Sequence, residues 1–90
     1  MAYLFVKHTV NDFNHWKTVY DSVATARDTH GAIRGQIMRD ASNPKLVVVL
    51  EEYHTLEGAK NWAGSSELRV AMGHAGVTSI PEIAFLEHLD

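Results

Sequence analysis

Apolar residues, many of them aromatic or β-branched, are concentrated in four segments of the chain, which predicts strands. The predicted strands cover residues 3–10, 32–40, 46–54 and 82–89. Successive strand residues point to opposite sides, so Leu4, Val6 and Val10 share one face of the first strand with His8. The third segment is the most apolar run in the chain and predicts a central strand covered on both faces.

Two further segments have apolar residues at spacings of three and four, which predicts amphipathic helices. The first begins after Asn11 or Asp12, either of which can cap it, and runs to about residue 29. Its apolar stripe consists of Phe13, Trp16, Val19, Tyr20, Val23, Ala24 and Ala26. The second begins after Thr55 and runs to about residue 74, and Gly64 is predicted to break it into two pieces.

The resulting order, βαββαβ, predicts an α+β, ferredoxin-like fold as one domain over residues 1–90. Right-handed crossovers then give a four-stranded antiparallel sheet with both helices on one face. A short internal repeat supports two related halves. In each half a Trp lies eight residues after the His of a His-Thr-apolar sequence: Trp16 after His8, and Trp62 after His54.

The second face of this sheet is expected to be apolar and uncovered. We expect it to contain some of five residues, namely Phe5, Val47, Val49, Ile83 and Phe85. Monomeric proteins rarely expose a large apolar surface, so this face predicts a two-fold homodimer.

Composition excludes several classes of function. The 90 residues include no cysteine, which rules out disulfides, thiolate chemistry and cysteine-based zinc sites. The net charge is −3 and the eight basic residues are scattered, so no nucleic-acid partner is expected. The sequence contains neither a secretory signal nor an apolar run of about 20 residues, which predicts a cytoplasmic protein that does not contact membranes.

His8 is the first candidate for chemistry. If its face of the strand meets the helices, the imidazole points into the space between sheet and helices, where it can act as a general base near neutral pH. The alternative is a hydrogen-bonded core histidine. Trp62 can line the same space and donate one hydrogen bond, or it can be plain core. Trp16, at the corresponding position of the internal repeat, is expected to be core.

A second group of residues offers polar contacts. Tyr20 lies on the apolar helix stripe, so its hydroxyl needs a partner if it is buried. Arg27 and Tyr53 are candidate ligand-binding residues, and so is His74, although a helix-capping role is the favoured explanation of His74. One carboxylate of the pair 51–52 is expected to point inward. Its partner is then expected to be a nearby cation, and the candidates are Lys7 and Arg39.

No phosphate-binding loop, nucleophile elbow, carboxylate cluster or histidine pair at a metal-binding spacing is found, so no cofactor and no metal are expected. Four stretches nevertheless resemble a known superfamily. They are Val6-Lys7-His8-Thr9-Val10 with Asp12-Phe13 and Trp16-Lys17; Arg27 with His30-Gly31; Glu57, Ala59, Trp62, Ser65 and Glu67-Leu68; and Ala75-Gly76-Val77 with Pro81-Glu82-Ile83 and Phe85-Leu86-Glu87.

Together these stretches resemble the dimeric α+β barrel superfamily, which includes antibiotic biosynthesis monooxygenases and polyketide-cyclase-like proteins. The resemblance implies the ferredoxin-like fold and a homodimer. It leaves the activity open among cofactor-independent oxygenases, cyclases, isomerases, haem-degrading enzymes and proteins without assigned activity. The haem-degrading branch uses a strand-1 Asn with a Trp and a His of the second helix. Trp62 fits that pattern. His74 lies in the right region, but its spacing from Trp62 is slightly long, and His8 stands where the Asn is expected.

Three hypotheses follow for the space between sheet and helices. The first is a cofactor-independent oxygenase or cyclase for an aromatic or polyketide-like substrate, with His8 as base and Trp62 or Tyr20 as donor to the developing oxyanion. The second is a dimer that binds a small molecule without transforming it. The third is a haem-binding protein that uses His74.

Overall fold

The computed structural model describes residues 1–90 as one four-stranded sheet and four helical segments. In chain order these elements are β1 (Ala2–Thr9), α1 (Phe13–Ser22), α2 (Ala24–Thr29), β2 (Ala32–Arg39), β3 (Leu46–Tyr53), α3 (Leu56–Ala63), α4 (Ser66–His74) and β4 (Glu82–Glu87). The strand order is β2-β3-β1-β4 and every neighbouring pair is antiparallel. The predicted ferredoxin-like α+β fold is therefore confirmed.

The predicted first helix is divided into α1 and α2 at Val23, so the prediction of one continuous helix is wrong. The Ser22 hydroxyl donates to the Val19 carbonyl at 2.6 Å, and the Val23 amide bonds to the Tyr20 carbonyl at 3.4 Å, which is a three-residue spacing. A serine that bonds a preceding carbonyl competes with regular helical bonding. The bend directs Arg27 of α2 back toward the sheet, where it reaches Glu51.

The other helix boundaries follow the sequence signals. Asp12 caps α1 by accepting from the His15 amide at 2.9 Å, and Thr55 caps α3 by accepting from the Gly58 amide at 3.0 Å. Gly64 ends α3 as predicted, and α4 begins at once after Ser65. None of the four helices has the length and apolar character of a membrane span.

The helices cover one face of the sheet. On that face β1 contributes Leu4, Val6 and His8, and β3 contributes Val47 and Val49, all of them buried. Directly paired residues of neighbouring strands share a face, which places Ile83 and Phe85 there too, opposite Val6 and Leu4.

Four of the five candidates for the uncovered face therefore lie on the covered face instead, namely Val47, Val49, Ile83 and Phe85. Phe5 does lie on the uncovered face, where it pairs with Leu50 of β3. The error has one cause: a shift of one residue in the alternation moves every side chain of a strand to the other face. The uncovered face still contains a row of apolar side chains, namely Phe5, Met38, Val48, Leu50, Ala84 and Leu86.

Candidate functional site

An inner cavity lies between the sheet and the helices, with a volume of about 50 Å³. Its aromatic and polar lining side chains are His8, Trp16, Tyr20, Arg27, Glu51 and Trp62. The other lining residues are apolar, and they come from β1, β3, α1, α4 and the segments that follow α1 and α4. A single water needs about 10–15 Å³ by the same kind of measure, so the cavity in this state has room for a few waters.

His8 is placed in this cavity by the alternation of β1. Only 4% of its surface is exposed, and neither Nδ1 nor Nε2 has a hydrogen-bond partner within the protein. Its ring is steeply inclined to that of Trp16, at 75°, with the ring centres 5.8 Å apart. Burial lowers the pKa of His8 below its ordinary value, because the apolar surroundings disfavour the charged form. His8 is thus a neutral imidazole at neutral pH, with one acceptor and one donor nitrogen unused.

Trp62 forms another part of the cavity wall. It lies on α3, is 1% exposed, and its ring centre is 5.4 Å from that of His30. Trp16 is a core residue as predicted, but it lines the cavity as well and stacks on Tyr20 at 5.1 Å. Trp16 and Trp62, the two tryptophans of the internal repeat, therefore line the same cavity from different helices.

Glu51 of β3 is the centre of a buried polar cluster. The Tyr20 hydroxyl donates to Oε2 at 2.7 Å and the Tyr53 hydroxyl donates to Oε1 at 2.8 Å. Nε of Arg27 lies 3.6 Å from Oε2, and Nη1 donates to the Tyr20 carbonyl at 2.6 Å. The guanidinium also lies over the Tyr20 ring, 3.7 Å from its centre. Both carboxylate oxygens are satisfied, so the cluster holds a buried charge without an unpaired polar group.

The cluster also fixes the protonation of its two tyrosines. Burial raises the pKa of Tyr20 and of Tyr53 far above the ordinary value, and the charge and hydrogen bonds of Glu51 raise both further. Each hydroxyl therefore keeps its proton, and in this state each proton is directed at Glu51. Tyr20 can donate to a ligand only after it leaves Glu51.

Glu51 was not among the candidate site residues, and its predicted partners are wrong. The cation beside it is Arg27, which comes from α2, whereas the guanidinium of Arg39 lies over the Phe13 ring at 4.5 Å. As expected, the two neighbouring carboxylates point to opposite faces of the sheet. Glu51 points inward, whereas Glu52 points to the other face, where its Oε1 lies 3.3 Å from Nε of Arg34. One sequence feature could have identified Glu51 as a site residue: it is an ionisable residue directly after the most apolar run in the sequence.

The structure brings four of the six candidate residues to one cavity, namely His8, Tyr20, Arg27 and Trp62. Tyr53 stands behind Glu51 and is fully buried. His74 lies at the end of α4 beside an outer groove between α1 and α4, and its carbonyl accepts from Nε2 of His15 at 2.7 Å. The His74 side chain is therefore not part of the inner cavity.

Comparison with solved structures identifies the fold. SnoaB from Streptomyces nogalater, described as a cofactor-independent oxygenase, superposes with a TM-score of 0.79 at 12% identity over 99% of this chain and 93% of its own. A structure described as an antibiotic biosynthesis monooxygenase superposes with a TM-score of 0.74 at 8% identity, over the whole of both chains. A conserved protein from Methanosarcina mazei gives 0.74 at 14% identity, covering 94% and 89%.

No protein-family model matches the sequence, and a search of curated proteins finds no match. At these identities the likeness to solved structures concerns the fold. The resemblance seen in the sequence is confirmed at that level: the chain has the ferredoxin-like α+β fold of solved antibiotic biosynthesis monooxygenases.

Proposed function

We propose that this protein is a cofactor-independent oxygenase or cyclase, and that its substrate is an enolisable aromatic or polyketide-like molecule bound in the inner cavity. The observation behind the proposal is His8, a buried neutral imidazole with two unpartnered nitrogens on the wall of a largely apolar cavity. Buried polar atoms without partners are rare and point to a ligand or a catalytic role. The shared fold with SnoaB, described as a cofactor-independent oxygenase, supports the same proposal.

His8 is the general base in this proposal. Its unprotonated nitrogen takes a proton from a carbon of the substrate that is acidified by a neighbouring carbonyl or phenol. The carbanion adds to dioxygen and forms a hydroperoxide after reprotonation, and loss of water leaves a carbonyl. The balance is one CH₂ group and one O₂ converted to one C=O group and one H₂O. In the cyclase variant the carbanion attacks an internal carbonyl of the same molecule.

The developing oxyanion of the substrate requires a donor. The Trp62 indole is the first candidate, because it lines the cavity and its N–H is a hydrogen-bond donor. Tyr20 is the second, once its hydroxyl has left Glu51. Arg27 contributes positive charge at the same end of the cavity, and Tyr53 holds Glu51 in place behind it.

A second candidate function is binding without turnover. It is favoured by one observation: no carboxylate or carbonyl orients the His8 ring, whereas catalytic histidines are commonly oriented by a third group. In that case the same cavity binds an aromatic ligand and releases it unchanged.

The proposed assembly is a homodimer through the uncovered face of the sheet, with the row of Phe5, Leu50 and their apolar neighbours at its centre. Such a contact removes from water an apolar surface that monomers rarely expose. The cavity opens on the other side of the sheet, so the dimer leaves it accessible to ligands.

The test of function is dioxygen consumption with a panel of enolisable polycyclic phenols and ketones, followed by mass spectrometry of products formed under isotopically labelled dioxygen. His8→Gln is expected to lower kcat by about 10²-fold or more, the usual contribution of a general base. The matched control is His54→Gln. His54 is the exposed histidine that corresponds to His8 in the internal repeat, and its replacement should leave turnover unaffected. Equal turnover in His8→Gln would remove the assignment. A substrate bound in a His8-dependent manner but recovered unchanged would establish the binding function instead.

A further inference from the structure

The inner cavity has a neighbour. An outer recess of about 410 Å³ lies between α1, α2 and β2, on the far side of the Glu51 cluster. Three residues line both spaces, namely Tyr20, Arg27 and Glu51. The wall between the two spaces therefore consists of side chains, which can rotate without any change in the backbone.

Tyr20 is the movable part of this wall. Glu51 is held from behind by Tyr53, which is fully buried and cannot follow it. The Tyr20 ring is stacked on Trp16 on the cavity side, and its hydroxyl lies against Gly35 on the recess side. A Cβ atom on Gly35 would be 3.0 Å from that hydroxyl, so a glycine at this point of β2 leaves room for the tyrosine. Rotation of Tyr20 breaks one hydrogen bond and joins the two spaces.

The chemistry of the recess differs from that of the cavity. It is lined by three cations and three anions, so its formal charge is balanced. The cations are already paired: Lys17 with Asp21 at 2.7 Å, Arg27 with Glu51 at 3.6 Å and Arg34 with Glu52 at 3.3 Å. An anionic ligand would have to displace these carboxylates. Neutral hydroxyl groups can instead donate to the carboxylates and accept from the guanidinium groups that remain in place.

We propose that the outer recess and the inner cavity form one two-part binding site, which takes a ligand with an aromatic end in the cavity and an uncharged, polyhydroxylated end in the recess. This inference rests on the proposed function and adds a ligand class to it. The small volume of the cavity supports it, because a bicyclic aromatic exceeds the space of a few waters and enters only when Tyr20 moves. The displaced Tyr20 hydroxyl is then free to donate to the ligand.

The test compares three probes by isothermal titration calorimetry of the full chain: 2-naphthol, 2-naphthyl β-D-glucoside and 2-naphthyl phosphate. The glucoside is expected to bind at least about tenfold more tightly than 2-naphthol, and the phosphate more weakly than the glucoside. Asp28 is exposed on α2 and lines the recess but not the cavity. Asp28→Trp fills the recess and is expected to weaken glucoside binding about tenfold while it changes 2-naphthol binding by less than about twofold.

One control accompanies this variant. Thr25→Trp places the same side chain on an exposed position of α2 that does not line the recess. It should bind the glucoside as the wild type does. Equal glucoside and 2-naphthol affinities, or a glucoside affinity that Asp28→Trp leaves unchanged, would overturn the two-part site alone. Failure of both 2-naphthol and the glucoside to bind would overturn the proposed function and the inference with it.

Discussion

At the scale of single residues, the site contrasts two ways of burying a polar group. Glu51 is charged and fully partnered, with two tyrosine hydroxyls and a guanidinium around it. His8 is neutral and has no partner for either nitrogen. The arrangement around Glu51 needs no ligand to be stable, because both carboxylate oxygens already have partners in the protein. The second arrangement is costly to fold unless a water or a ligand in the cavity uses it, which is why the proposed function involves His8 rather than Glu51.

The state of His8 predicts how stability changes with pH. Its pKa in the folded protein is below the ordinary value of 6.5, so the unfolded chain binds the proton first as the pH falls. The stability associated with neutral His8 is therefore fully present above the unfolded pKa and is lost on acidification below it. The free energy of unfolding should fall with a slope of up to about 1.4 kcal/mol per pH unit for this one proton.

The measurement is urea denaturation of the wild type and of His8→Leu from about pH 7.5 to about pH 5.5, on either side of the ordinary histidine pKa. The wild type should lose stability relative to His8→Leu as the pH decreases. His54→Gln, which removes an exposed histidine, should keep the wild-type profile. Parallel profiles for wild type and His8→Leu would show that His8 does not remain neutral when the protein folds.

At the scale of elements, the sequence predicts a strand's orientation only where polar residues mark its faces. In β1 a histidine among aliphatic residues sets the alternation, and His8 lies where expected. In β3 residues 46–50 are all apolar, so the sequence does not show which of them point toward the helices. Val47 and Val49 were therefore predicted on the wrong face of the sheet. The same ambiguity hid Glu51, whose partners come from α1 and α2 and are not visible as local spacing.

The packing of α3 against the end of α2 supplies a prediction at this scale. A Cβ atom on Gly58 would collide with the backbone carbonyl of His30, and backbone atoms cannot move aside easily. Gly58→Ala should therefore destabilise the protein by about 1–3 kcal/mol, the usual range for overpacking. Gly73, in α4, has open space where its Cβ would stand. Gly73→Ala should stabilise the protein by about 0.5–1 kcal/mol, since alanine is the better helix former.

Urea denaturation of the two glycine variants makes the comparison direct, because both changes add the same single methyl group within a helix. Opposite signs of the change in free energy are expected. A neutral Gly58→Ala would mean that α3 moves freely away from α2, and the close contact between the two halves of the fold would then have no energetic role.

At the scale of the whole molecule, the two faces of the sheet have different proposed roles, ligand binding on one and dimerisation on the other. The covered face holds His8 and the inner cavity, and the uncovered face presents a row of apolar side chains centred on Phe5 and Leu50. A chain of 90 residues has a small core, and covering the second face adds apolar burial that one copy cannot achieve alone. We therefore expect a mass of twice 10.0 kDa in solution at micromolar concentration.

Leu50→Lys tests this assembly, because it places a charge at the centre of the uncovered face while the covered face stays unchanged. A buried unpaired charge is strongly unfavourable, so the variant should sediment as a monomer. The matched control is Val70→Lys, which exchanges an apolar residue that is 58% exposed on α4 for the same side chain and should remain dimeric. Analytical ultracentrifugation of the three proteins decides the matter. A wild-type mass of 10.0 kDa would refute the dimer, and a dimeric Leu50→Lys would place the interface on another surface.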